Sequence, residues 1–451
     1  MGSPQHQRIH GKPLKLLTHM NNNYYCDGIE RRDFIKVGAL AGLGVSLPQW
    51  ISQSQAGEIK ERKSKAAIFV RLTGGPSHMD TFDMKPNAPS THKGEFNEIS
   101  TKVPGIKISE HLPKLAKCTD KFAIVRGISH SLAAHQLGQQ YLASGNRPIA
   151  SLQYPTYGSV VAKELGGPEE LPPFIAIPNQ NNNPTGFLGV EYGPFDTGAT
   201  PQKGRPMRVR GLASTPGLSL DDIERKQNLI SRYDKRFGSL KYEDKILAGM
   251  DEFSRKAYLM MRSPAAKKAF DLAKEPNSIG NLFGAGGFSQ SCLLSTRLVE
   301  AGVPFVTISY GGWDTHQDNF NKLKDVNLPE LDDGLAGLFQ TLELKGLLES
   351  TTVFVSGEFG RTPKINARGG RDHYPRAMFS LFAGGGIDAG QVVGESDKNG
   401  EGPKDWKITP DDLAATLYYT LGIDYKKEYH TPTGRPVMIV RDGSVIRELL
   451  S

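Results

Sequence analysis

Histidine and carboxylate side chains gather in four short stretches of this 451-residue chain. "TGGPSHMDTFD" carries His78, Asp80 and Asp83, and "RGISHSLAAHQ" carries Ser129, His130, Ser131 and His135. "GGWDTHQD" carries Asp314, His316 and Asp318, and "SGEFGRTPKINARGGRDHYP" carries Glu358, Arg361, Asp372 and His373. Neutral imidazoles and carboxylates are natural ligands of zinc or manganese, and carboxylate-rich sets also suit calcium. No single stretch is specific, because Asp-x-His is common and an isolated histidine is more often a hydrogen-bonded structural residue. Four of them in one chain point to a divalent-metal site. A buried His/Asp network that fixes loop geometry is the competing reading.

The fourth stretch adds guanidinium chemistry. Arg361 is the arginine nearest the start of that stretch and would neutralise and orient a phosphate or sulfate oxygen. Lys364, Arg368, Arg371 and Arg376 read instead as a solvated basic loop. A nucleophile is harder to find. The "SHS" at Ser129–Ser131 places hydroxyl and imidazole side by side, yet sequence neighbours rarely share one reactive geometry. The chain has no G-x-S-x-G elbow, P-loop or dinucleotide-binding glycine pattern. A bound metal that lowers the pKa of its water would fill the gap.

The elements that must hold these residues are legible from periodicity. Apolar runs at "KAAIFVRLTGG", "FAIVRGI", "FIAIP", "PFVTIS", "TVFVSG" and "MFSLFAGGG" read as buried strands. Leu331, Leu335, Leu338, Phe339 and Leu342 share one helical face, as do Leu413, Leu417 and Leu421 after a "TPDD" start. A further helix is expected in the second stretch, with Ser131 as N-cap and Gly145 as its stop. Alternating strands and helices predict an α/β fold with a largely parallel sheet between helical layers. In such sheets ligands gather at the strands' carboxyl ends, where all four stretches fall. Residues 195–218 read as loop and 219–275 as a helical insertion, so the insertion spans about 195–275. Asp318 is expected to cap the turn after the third stretch.

Bulk composition narrows the partners. With 38% apolar residues the chain can bury a core, and 50 glycines and 29 prolines imply many turns. Of the +7 net charge, residues 1–56 hold six Lys/Arg against three acids, leaving +4 for the rest. That bias is compatible with anionic ligands and too weak for nucleic-acid binding. Within 1–56, Arg31 and Arg32 precede the Gly/Ala-rich run Val37–Leu47 and the small-residue end "SQA". The run is too short to span a bilayer and resembles a twin-arginine export signal. It predicts a periplasmic or cell-surface protein that engages the twin-arginine machinery, without a stable transmembrane segment. Cys26 would leave with the signal, and Cys118 and Cys292 could then form one disulfide.

The motifs "LTGGPSHMDTFDMKP", "GISHSLAAHQLGQQYLASG", "GGWDTHQDN", "SGEFGRTPKIN" with "GGRDHYP", and "LGIDYKKEYHTPTGRP" resemble a family of twin-arginine-exported proteins of unknown function, often labelled sulfatase-like. That family is grouped with the alkaline phosphatase and sulfatase superfamily, and the likeness runs over nearly all of 57–451. It implies a three-layer alkaline-phosphatase-like fold and a metal site at the sheet's carboxyl edge. It implies Asp314, His316 and His373 as ligands, with Glu358, His78 and Asp80 as a second, weaker set. It puts His135 in the nucleophile slot, with Ser131 one turn earlier. Two features depart from the superfamily pattern: no acid ends the first strand, and Phe359 stands where a histidine is usual. The sulfatase cysteine motif is absent, which excludes formylglycine chemistry. The function implied is metal-assisted hydrolysis of phosphate or sulfate esters on an anionic small molecule or glycan. The alternative is a non-catalytic protein that binds anionic glycans or an exported partner.

Overall fold

The computed structural model describes residues 62–180, 184–205, 207, 209, 259–260 and 262–451. The signal-like segment 1–56 lies outside them, as does most of the insertion expected at 195–275. The central sheet has eight strands: β1 (Ala66–Leu72), β2 (Phe122–Ile128), β3 (Phe174–Ile177), β4 (Phe195–Asp196), β5 (Phe305–Tyr310), β6 (Thr351–Gly357), β7 (Met378–Ala383) and β8 (Val392–Val393). Their order across the sheet is β8-β2-β7-β6-β1-β5-β3-β4. Every neighbouring pair is parallel except the two that involve β7, which runs against both β2 and β6.

Alternation along β1 shows how the three layers form. Ile68, Val70 and Leu72 join one apolar cluster, and Ala67 and Phe69 join the other. The first cluster is closed by α3 (Gly287–Glu300) and α4 (Leu328–Leu344), through Leu294, Leu298, Leu335 and Leu338. The second is closed by α2 (Tyr157–Leu165) and α5 (Pro410–Thr420), through Val160, Val161, Leu413 and Leu417. All five residues of the predicted Leu331–Leu342 face are buried. The "TPDD" start is a capping box, in which the Thr409 hydroxyl accepts from Asp412 N and the Asp412 carboxylate accepts from Thr409 N.

Thus the three-layer α/β class predicted from the sequence is the one present. Some local expectations are corrected. The helix of the second stretch, α1 (His135–Ser144), starts at His135 rather than near Ser131, and its N-cap is Ala134. Ser131 is exposed in a bend four residues before the helix and does not cap it. Gly145 does stop α1, in the left-handed conformation. Phe195 and Asp196, read as loop, form the edge strand β4. Cys118 and Cys292 are both buried and free, so they form no disulfide with each other. Asp318 occupies the N-cap position before Asn319–Lys322, but its side chain accepts from Asn321 Nδ2 instead of a backbone amide. Among the described residues no helix is long and apolar enough to cross a membrane.

Candidate metal centre

β1, β2, β5 and β6 all end at the same edge of the sheet, and antiparallel β7 begins there. The loop after β5 is pinned on both sides of Asp314. Trp313 is fully buried and meets Tyr310 edge-on at 5.6 Å between ring centroids. Thr315 is buried too, donating to Asn319 Oδ1 at 2.6 Å and accepting from Arg371 N at 3.0 Å. With Trp313 and Thr315 held inward, Asp314 projects outward and His316 is half-buried. After β6, Gly360–Arg361 pairs antiparallel with His373–Tyr374, setting His373 directly across from Arg361.

These loops bring His135, Asp314 and His373 together, with one ligand-type atom from each lying within 4.8 Å of the others. His316 adjoins them, its Nε2 3.1 Å from Asp314 Oδ1 and 3.0 Å from His373 Nε2. His373 Nε2 is 3.2 Å from Asp314 Oδ1, and His135 Nε2 is 3.3 Å from Asp314 Oδ2.

The opposite nitrogen of each ring is already committed. His135 Nδ1 donates to Glu358 Oε1 at 2.7 Å, His316 Nδ1 to Asp372 Oδ1 at 2.7 Å, and His373 Nδ1 to Ala133 O at 2.8 Å. A proton on each Nδ1 leaves a lone pair on each Nε2. The His135 and His373 lone pairs and the Asp314 carboxylate then share one space, with the His316 lone pair beside His373. Lone pairs 3.0 Å apart repel unless a cation lies between or near them. The donor set therefore fits a divalent metal. Imidazole nitrogens with one carboxylate suit zinc or manganese better than calcium, which takes oxygen ligands.

Charge around the cluster is arranged to match. Burial would raise the Asp314 pKa, but the Arg361 guanidinium, donating from Nη2 at 2.6 Å, and the nearby histidines bring it down to about 2. The hydrogen bond from His316 holds the Asp372 carboxyl below its usual range. The bond to Glu358 outweighs burial and raises His135, whereas burial lowers His373. Buried Glu358 has one oxygen, Oε2, without a hydrogen-bond partner. Its Oε1 also accepts from Gly74 N at 2.9 Å.

Other residues expected at the site have different tasks. Arg361 is fully buried: Nε donates to Gly75 O at 2.9 Å, Nη1 to Arg371 O at 3.1 Å, and Nη2 to Gly74 O as well as Asp314. With four of its five N–H donors on the protein and its side chain fully buried, it positions Asp314, in place of the expected contact with a substrate oxygen. Asp80 is not brought to the cluster. It forms a buried ion pair with Arg371 at 2.7 Å (Oδ2–Nε) and 2.9 Å (Oδ1–Nη2), and accepts from Asn319 Nδ2 at 3.0 Å. Arg371 thus leaves the solvated basic loop predicted for it, while Lys364, Arg368 and Arg376 are exposed as expected. His78 is buried with Nε2 on Gly400 O at 2.8 Å and is held neutral by burial, which lowers its pKa. Ser131 makes no hydrogen bond to the cluster. His130 uses both ring nitrogens, donating to Glu358 O at 2.8 Å and accepting from Leu132 N at 3.1 Å, so it braces the loop.

Sequence reasoning passed over two contributions. Gly74 has φ +113°, and a Cβ there would lie 2.5 Å from Asp314 N, so only glycine lets the loops after β1 and β5 touch. Its signal was the Gly-Gly at the end of β1. Phe359 is buried beside His135 and His373, with ring centroids 5.0 and 4.6 Å away, and forms an apolar wall for both imidazoles.

No curated protein matches the sequence. Among solved structures, the chain is similar to the PsFucS1 sulfatase from Pseudoalteromonas sp., at 12% identity and TM-score 0.36, covering 82% of this chain and 70% of that one. It is similar to the lipoteichoic acid synthase LtaP from Listeria monocytogenes, at 10% identity and TM-score 0.33, covering 85% and 77%. A third, Ps i-CgsB in complex with k-i-k-neocarrahexaose, matches at 10% identity and TM-score 0.33, covering 80% and 73%. Residues 64–450 match one family, described as "Protein of unknown function (DUF1501)", and the chain belongs to it.

Proposed function

We propose that the chain is an exported, divalent-metal-dependent hydrolase of phosphate or sulfate esters, acting at the carboxyl edge of its sheet. The observation that carries this reading is the convergence of the His135, His316 and His373 Nε2 atoms on Asp314, each ring fixed through Nδ1. A zinc or manganese ion held there supplies Lewis-acid chemistry toward a phosphate or sulfate ester. The protein's own residues do the rest. Arg361 keeps Asp314 ionised and aimed, and Glu358, Asp372 and Ala133 hold the three imidazoles in their ligand tautomer. The first turn of α1 begins at His135, so the partial positive charge of that helix end adds to a site for an anionic group. The small-residue-terminated segment after Arg31 and Arg32 would deliver the chain to the periplasm or cell surface through the twin-arginine machinery.

A second reading is favoured by one observation: Ser131 makes no hydrogen bond to the cluster and Arg361 is spent on the protein, so among the described residues neither of the two expected groups, hydroxyl nucleophile or arginine, is offered to a substrate. In this reading the centre binds an anionic glycan or an exported partner without turnover. Nitrophenyl phosphate and nitrophenyl sulfate hydrolysis by the metal-loaded chain separates the two. The hydrolase reading expects metal-dependent turnover that disappears in His316→Ala/His373→Ala. Saturable binding of a sulfated oligosaccharide with no product would favour the second.

A further inference from the structure

β1 carries an arginine in an otherwise apolar run. Arg71 is 2% exposed, its Nη2 donates to Ser309 Oγ at 2.8 Å, and its Nε has no partner. It forms no ion pair among the described residues. The acids whose charge reaches it are Glu358 and Asp196, and both are engaged elsewhere: Glu358 holds His135 and Gly74 N, and Asp196 Oδ1 accepts from Gln180 N at 3.0 Å. Burial brings the guanidinium down to about 10, opposed by those two acids, so it stays charged at neutral pH.

Arg71 lines a pocket between α1 and the segment that follows it, with Gln180 and Thr156 among the opposing residues. Gln180 is also 2% exposed, and its Oε1 has no partner, nor has Thr156 Oγ1. No acidic residue lines the pocket. Its cavity volume is about 40 Å³, room for roughly three waters or one small oxyanion. Gln139 lines it too, and donates from Nε2 to Glu358 Oε1 at 3.4 Å, the oxygen that holds His135. The pocket and the His/Asp cluster are therefore neighbours through a single carboxylate. A buried guanidinium without an ion-pair partner is unfavourable until an anion completes it.

We propose that this pocket is a second anion subsite, in which the Arg71 guanidinium and the Thr156 hydroxyl take a sulfate or carboxylate substituent of the molecule whose ester lies at the metal cluster. The substrate class that follows is an ester bearing at least one further anionic group. That assignment of substrate rests on the hydrolase reading, whereas anion binding by Arg71 does not.

Calorimetric titration of the full chain with inorganic sulfate, against chloride at equal ionic strength, tests the subsite. Wild type and His316→Ala/His373→Ala are expected to bind sulfate saturably. Losing a charge-assisted hydrogen bond, Arg71→Met should bind about tenfold more weakly or worse. Thr156→Val, which removes the unpartnered hydroxyl, should also bind more weakly, and it serves as the second probe if Arg71→Met does not fold. Equal isotherms for wild type and either folded pocket variant would overturn the proposal. So would sulfate binding lost in the histidine variant and kept in Arg71→Met, which would put the anion at the cluster. A disulfated disaccharide should bind wild type more tightly than a monosulfated one, and that advantage should vanish in Arg71→Met. No advantage in wild type would overturn the substrate assignment. Sulfate binding that persists in a protein without esterase turnover supports the subsite while removing the hydrolase reading.

Discussion

Asp80, in the loop after β1, finds its partner 291 residues away, in the buried two-bond ion pair with Arg371. Arg371 in turn donates to Pro363 O, Thr362 O at 3.1 Å and His92 O at 2.8 Å, and its backbone carries Arg361 and Thr315. One ion pair therefore ties together the loops after β1, β5 and β6 beneath the cluster. Removing one partner leaves the other charge buried and uncompensated. Asp80→Ala should lose about 3–5 kcal/mol of stability in urea unfolding, and Asp80→Leu/Arg371→Met should recover part of it. A near-neutral Asp80→Ala would show that the pair supports nothing.

Asp372 acts on the centre only through His316. Such carboxylate partners of a ligating imidazole typically change metal affinity about 10–100-fold. Asp372→Ala should weaken zinc binding by that amount in a chelator competition, with little change in melting temperature because Asp372 is half exposed. Unchanged affinity would mean that His316 is not a ligand.

Gly74→Ala should do damage out of proportion to one methyl group. The added Cβ meets the Asp314 backbone at 2.5 Å, at a φ of +113° that alanine adopts only under strain. Both the melting temperature and zinc affinity should fall together, since the displaced segment carries Asp314. Wild-type values for both would contradict the close approach.

Protons and metal compete for the same Nε2 atoms. Asp314, held down to about 2, stays ionised and contributes no proton above pH 4 or so. His135 is shifted up, so its protonation opposes binding at a higher pH than an ordinary imidazole, and His373, shifted down, joins only at lower pH. Zinc affinity measured from pH 8 downward should therefore fall with a slope that steepens as successive histidines protonate, approaching about three protons per metal. A pH-independent affinity across that range would exclude imidazole ligation.

The strands, the two apolar helix faces and the edge that gathers the polar loops were all legible, because burial imposes period on the sequence. Ligand-type residues are another matter. Asp80 and Asp314 look alike in sequence, each two residues from a histidine, yet one meets a buried arginine and the other meets imidazoles. The difference comes from Arg371 and Arg361, whose burial depends on loops far apart in the chain. Ser131 misled for a local reason: a hydroxyl before a helical pattern is a good cap only if the helix starts there, and α1 starts at His135. Phe359 departed from the superfamily pattern but serves as an apolar wall, a role that residue type alone does not announce.

The central claim is that His135, His316, His373 and Asp314 hold a divalent cation. Metal content by mass spectrometry, for the full chain purified without chelator and after zinc or manganese reconstitution, tests it most directly. About one ion per chain is expected in wild type, and loss of it in His316→Ala/His373→Ala. A folded wild-type protein that takes up no metal under either condition would contradict the claim.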